Sequence, residues 1–284
     1  MIEQLSIWLL EPMEYTFMQR ALIASLIVGI NCGALGSILI LKRLALMGDA
    51  IAHAVLPGVA IAYLIGINFF WGAVTTGVIT ALAIGFVTEH SKIKEDSAIG
   101  IMFSAAFALG ILIMSNIHTG VDLFHILFGN VLGVSAGDLK LIAILALLVI
   151  TLIILFFKEL KLFIFDHILA RSIGLPTSLI HYLLMLMLSL TVVASLQTVG
   201  IVLVVAMLIT PGATAYLLVN RLSTMMVLAA FFGLISAVIG LYLSFYLNVA
   251  SGAAIVVVAT IFFLLALFLS PKEGILTTKK IFGN

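Results

Sequence analysis

Nine stretches of mostly apolar residues, each near the length of a membrane crossing, follow one another along this chain. They run over residues 17–41, 50–67, 69–88, 97–115, 138–157, 178–196, 199–219, 224–246 and 251–270. A helix needs about 20 such residues to cross a bilayer. Only helices and closed barrels satisfy their backbone groups inside lipid. The pattern therefore predicts an all-α, polytopic integral membrane protein with eight or nine transmembrane helices, eight if one of the short stretches does not cross. Composition agrees. Of 284 residues, 64% are hydrophobic and 9% charged, whereas a soluble domain carries roughly 25% charge. A soluble core of this length would have nowhere to hide so much apolar surface. A net charge of +1 gives no sign of nucleic-acid or acidic-substrate binding.

Lys and Arg orient the spans. With the loop after the first span in the cytoplasm, Lys42, Arg43, Lys92, Lys94, Lys158, Lys161, Arg171, Arg221, Lys272, Lys279 and Lys280 fall inside, and only Arg20 and Lys140 fall outside. This puts the N-terminus outside and the C-terminus inside. The breaks near 67–69 and 196–199 leave almost no loop and read as tight hairpins. The segment 50–67 is short and holds Pro57 and Gly58, so a broken or tilted helix is expected there. The N-terminal stretch has acidic residues where a signal peptide has basic ones. It reads as an interfacial segment, with Trp8 and Tyr15 suited to the headgroup region.

Two connecting stretches exceed a hairpin. The outer one, 116–137, is apolar enough to re-enter the membrane or lie on it. The inner one, 158–177, places Ile168, Leu169, Ser172 and Ile173 at helical spacing. Asp166 is a natural N-cap there, and Gly174 and Pro176 stop the helix. Such a helix either touches a cytoplasmic partner or is an ordinary amphipathic surface helix. Gly29, Gly33 and Gly36 form a small-residue face, as do Ser251, Gly252, Ala253 and Ala254. Either face serves close helix packing within the chain or dimerisation. Cys32, the single cysteine, reads as a small packing residue.

Asp49 and His53 stand out as candidates for chemistry. Residues four apart share a helix face, and these two lie at the mouth of an apolar span. An ionised Asp at bilayer depth costs about 3 kcal/mol or more unless it is paired. Imidazole and carboxylate together suit Mn, Fe or Zn. The other reading makes Asp49 a helix cap and His53 a satisfied interior histidine. One such pair is half a site. Two copies across a two-fold axis supply two carboxylates and two imidazoles. His118, Asp122 and His125 form a second cluster in the outer loop, readable as a metal entry site or as solvated side chains. Gly133-Val-Ser-Ala-Gly137 has the letters of a nucleophile elbow without the strand-turn-helix context that motif needs. Neither H-E-x-x-H nor a Walker A sequence occurs. The chain is expected not to be an enzyme, and any ATP that drives it must bind another chain.

At LALMGDAIAHAVLPGVA (44–60) the sequence resembles the permease subunits of manganese, zinc and iron ABC importers. The resemblance continues through EDSAIGIMFSAAFALGI (95–111), DLFHILFGNVLGV (122–134) and VGIVLVVAMLITPGATAYLL (199–218), and so covers nearly the whole chain. It implies a single transmembrane permease domain over residues 1–284, of the type II-like importer architecture, in the bacterial plasma (inner) membrane. It further implies that Asp49 and His53 coordinate the metal in the translocation path. The segment 161–176 is similar to the family's coupling helix, and Asp166, Leu169, Ala170, Arg171 and Gly174 then face the ATPase. Relatives often read Asp-Pro-Glu there, where this chain has Asp166-His167-Ile168. Zinc-type relatives carry Asp-x-Pro where this chain has Asn248-Val249-Ala250, a departure that favours Mn(II) over Zn(II) or Fe(II).

The mechanism implied by the resemblance needs several partners: a second copy of the chain, two cytoplasmic ATP-binding subunits, and an extracellular or periplasmic metal-binding protein. The divalent ion is cargo and no cofactor is held permanently. An alternative is a metal channel or proton-coupled carrier that works without ATPases, since intramembrane acidic residues serve both. The cytoplasmic helix separates the two, because a lone carrier has no use for it.

Overall fold

The computed structural model of the chain describes residues 11–115 and 131–270. Twelve α-helices occur among the described residues: α1 (Thr16–Lys42), α2 (Ala45–Ala54), α3 (Leu56–Ile65), α4 (Phe69–His90), α5 (Glu95–Ser115), α6 (Ala136–Leu155), α7 (Phe157–Phe165), α8 (His167–Ser172), α9 (Thr177–Val199), α10 (Ile201–Leu218), α11 (Leu222–Leu247) and α12 (Ser251–Leu269). Counting α2 and α3 together, nine segments among these residues are long and apolar enough to cross a membrane. The nine expected stretches coincide with them. The chain is an all-α, multi-pass membrane protein.

The most buried spans are α1, α2–α3 and α9, and the least buried are α5, α6 and α12. Small residues bring the central helices together. A methyl group at Gly29 would sit 2.8 Å from the Gly233 carbonyl carbon, and one at Gly33 would sit 2.7 Å from that of Ala229. A methyl at Gly36 would collide with the carbonyl oxygen of Leu208. The glycine face of α1 is therefore consumed inside the chain, against α11 and α10, and is not free for dimerisation. Asn31 adds a polar tie, its Nδ2 donating to Thr191 Oγ1 of α9 at 3.2 Å. Cys32 is buried as a free thiol, as expected of a packing residue.

The expected break in the second span falls at Val55, between α2 and α3. Pro57 has no N–H to offer the His53 carbonyl four residues earlier, so the regular ladder stops there. Thr76 Oγ1 of α4 donates to the Val55 carbonyl at 3.3 Å. Gly66, at φ 75°, turns the chain into α4, and Gly200, at φ 83°, is the one residue between α9 and α10. The second tight connection thus lies just beyond the interval 196–199.

The basic residues expected on one side gather at one end of the bundle. Lys42, Thr88, Glu89, Glu95, Arg171 and Ser178 border a common cavity, and Arg221 lies beside Leu41 and Phe165. Lys92 and Lys94 connect α4 to α5, and Lys158 and Lys161 lie on α7. This end is called the basic end below. Trp8 and the C-terminal lysines lie outside the described residues.

Candidate functional site

Helix α2 begins at Ala45, and Leu44 is its N-cap, with no side-chain cap bond. Asp49 is therefore an interior residue of the helix. The reading that made it a cap is excluded, and the span starts one turn earlier than its apolar run. Asp49 and His53 share a face, with His53 Nε2 3.5 Å from Asp49 Oδ1. The side chains are 49% and 32% exposed respectively, so both retain open surface. On the other side of the imidazole stand two rings of α5. Phe103 and Phe107 lie with centroids 5.9 and 5.8 Å from that of His53. Among the described residues Asp49 pairs with His53 and with no lysine or arginine. Lys42 is turned elsewhere, its Nζ 3.8 Å from the centroid of the Phe163 ring.

Two donors do not enclose an ion. Among the described residues, no group of three or more His, Cys, Asp or Glu side chains is placed to hold a metal. What α2 offers is one anionic oxygen donor and one nitrogen donor on an open face, backed by aromatic rings. His118, Asp122 and His125, the candidate entry cluster, lie outside the described residues.

The candidate docking segment folds as its letters suggest. Asp166 Oδ1 accepts from the Leu169 N–H at 2.8 Å, capping α8. Gly174, at φ 84°, ends the turn, with the Leu175 N–H donating back to the Ala170 carbonyl at 3.1 Å. Ile168 is 82% exposed, and Leu169 and Ile173 are also exposed. Three large apolar side chains at the tip of a short connecting helix form a surface that water does not favour. Arg171 is exposed as well. Ala170 is the exception. It is fully buried, so its methyl group packs inward and is not available to a partner.

Behind α8 lies a cavity of about 540 Å³ whose walls include Lys42, Glu89, Glu95, Phe163, His167 and His181. The Ser178 hydroxyl donates to Glu89, linking the foot of α9 to that of α4. Sequence reasoning assigned no role to this cluster. Its members come from six separate helices, and no local spacing marks them. The one available signal was the presence of two histidines, His167 within the docking segment and His181 just after it.

Ser135, the centre of the elbow-like letters, has a structural task. It caps α6, its Oγ accepting from the Asp138 N–H at 3.1 Å and donating to Asp138 Oδ2 at 2.6 Å. Asn248 occupies a left-handed turn, φ 53°, at the end of α11. Asparagine tolerates this conformation better than most residues, which gives its presence there a backbone reason.

The chain is thus a packed multi-pass membrane bundle, with a polar pair inside one span and an exposed apolar helix at the basic end. A family model described as the ABC 3 transport family matches residues 14–270. The chain belongs to that family. As a permease subunit it is not an enzyme, and ATP hydrolysis takes place on a separate subunit. It is 62% identical over 266 residues to the manganese transport system membrane protein MntC of Halalkalibacterium halodurans, covering 93% of this chain and 91% of that one. It is 57% identical over 268 residues to MntC of Listeria monocytogenes, covering 94% and 96%. Among solved structures, a chain of PsaBC from Streptococcus pneumoniae in complex with Fab superposes with a TM-score of 0.84 at 44% identity, over 97% of this chain and 99% of that one. A metal-chelate type ABC transporter in an inward-facing conformation shares the fold alone, at a TM-score of 0.71 and 14% identity.

Proposed function

We propose that this chain is the membrane-spanning subunit of an ATP-driven importer of divalent transition metal ions in the bacterial plasma membrane, with Mn(II) the preferred cargo over Zn(II) or Fe(II). The observation that carries the reading is the Asp49–His53 pair: a carboxylate and an imidazole 3.5 Å apart, both partly exposed, with no lysine or arginine paired to the Asp among the described residues. A passing cation supplies the missing charge. Manganese is favoured because the relatives at 57–62% identity are named as manganese transport proteins. Relatives named as probable iron transport proteins stand at 44–45%. Oxygen and imidazole donors accept all three ions, so the donor set alone does not rank them.

The functional unit is a homodimer, because one chain gives two donors and two chains give four. Two ATP-binding subunits dock on α8 through Ile168, Leu169 and Arg171, with Asp166 and Gly174 shaping the helix. An extracellular metal-binding protein delivers the ion from the other side, where His118, Asp122 and His125 provide an entry. Residues 1–284 act as one permease domain. Nucleotide turnover moves α8, and the path from Asp49 and His53 then opens inward. A carrier that works alone is disfavoured by α8, whose exposed apolar tip such a carrier would have no reason to keep.

The test is uptake of radiolabelled manganese into cells that lack their own manganese importers. Asp49→Ala and His53→Ala should each abolish uptake while expression and association with the ATPase persist. Full uptake by both variants would overturn the site.

A further inference from the structure

Only Arg43 and Leu44 separate α1 from α2, the helix that carries Asp49 and His53. The connection is sharply bent. Arg43 adopts a left-handed conformation at φ 60°, and the Leu44 N–H donates back to Leu39 O at 2.9 Å. An arginine held in that region is strained, and strain of this kind clusters at switch regions. Lys42, immediately before the bend, places Nζ 3.8 Å from the centroid of the Phe163 ring. Phe163 is buried on α7. The same ring meets His167, the first residue of α8, edge-on with ring centroids 5.2 Å apart. The Phe163 ring thus contacts both the first residue of the docking helix and Lys42, the last residue of α1.

We propose that Lys42 and Phe163 are positioning residues for transport. Through their cation–π contact, movement of α8 is passed to the bend at Arg43 and from there to α2. The proposal rests on the reading that α8 meets the ATPase and α2 carries the cargo. Both side chains border the 540 Å³ cavity. A close-packed interior resists displacement, whereas the partly exposed lysine side chain borders open space into which to move. A lysine is suited to the contact because its ammonium follows the ring while its flexible stem absorbs the displacement.

The experiment uses the full permease–ATPase complex purified from native membranes, in lipid vesicles. An environment-sensitive fluorophore is attached at Leu46→Cys on α2, an exposed position. The native Cys32 is buried and does not compete for the label. ATP with vanadate should change the fluorescence of the parent. Lys42→Met and Phe163→Leu should each hydrolyse ATP yet lose about fivefold or more of that change. Lys42→Arg, which keeps a cation over the ring, should retain it. The double variant should lose no more than either single one, because both remove the same contact. If Phe163→Leu fails to assemble, Lys42→Met with the native ring carries the test, since Lys42 lies at the end of its helix. A response in Lys42→Met equal to the parent's, or losses that add in the double variant, would overturn the link. The fluorescence is read without metal, so a parent complex that responds to ATP but takes up no manganese would overturn the metal reading alone.

Discussion

Asp49 and His53 occupy consecutive turns of one helix, yet each keeps open surface inside the most buried span of the chain. Replacing a partly exposed imidazole by a side chain of similar size leaves no large void, so His53→Gln should change the melting temperature of the purified protein little while abolishing metal uptake. Gly33→Val should do the reverse. The added side chain meets the Ala229 backbone at a distance no real contact shows, and overpacking of this kind costs about 1–3 kcal/mol. Yield and melting temperature should fall, and transport per folded molecule should persist. Measuring both quantities on both variants separates a ligand from a packing residue. The Asp–His pair was legible in the sequence because helical spacing is local: four residues apart means one face, whatever the tertiary fold. The use of the glycine face was not legible, since small residues permit close approach without saying which helix approaches. The letters around Ser135 were legible only as an accident. Their task in capping α6 follows from the Asp three residues later.

At the scale of elements, the nine spans were readable because a helix crossing lipid needs about 20 mostly apolar residues. Their ends were less so. The second span begins at Ala45, where an apolar count starts it after Asp49, because a charged residue looks like a boundary when it is in fact inside the helix. Pro57 marked the break in that span correctly, since a missing N–H acts locally. For α8, the proposed docking helix, Asp166→Ala removes the bond to the Leu169 N–H and should cost about 1 kcal/mol of local helix stability. With α8 frayed, the complex should hydrolyse ATP while importing less metal per ATP. Ile168→Glu should have a larger effect of the same kind, because it places a charge on the most exposed apolar side chain of the helix. Binding of the ATPase subunit, followed by co-purification, should weaken in Ile168→Glu. Ala170 belongs to the inward face, a distinction that six residues of helix cannot reveal before the neighbouring helices are placed.

For the whole molecule, the charge asymmetry of the sequence becomes geometry. Residues from α1, α4, α5, α7, α8 and α9 converge on one cavity at the basic end, and that convergence depends on packing among distant segments, which no local pattern encodes. Cysteines introduced at 92–95 should resist impermeant reagents in intact cells, and those at 247–249 should react. Labelling of 92–95 from outside would reverse the assigned orientation. The account as a whole stands on the claim that the carboxylate of Asp49 meets the transported ion, and Asp49→Asn tests that claim most directly. Asparagine keeps the shape of the side chain, and with Asp49 inside α2 and not at its cap the helix has little to lose. It removes the negative charge that a hard divalent cation needs. In manganese-starved cells the account predicts that Asp49→Asn assembles with its ATPase at the normal level and takes up no manganese above background. Uptake at the parent rate would contradict it.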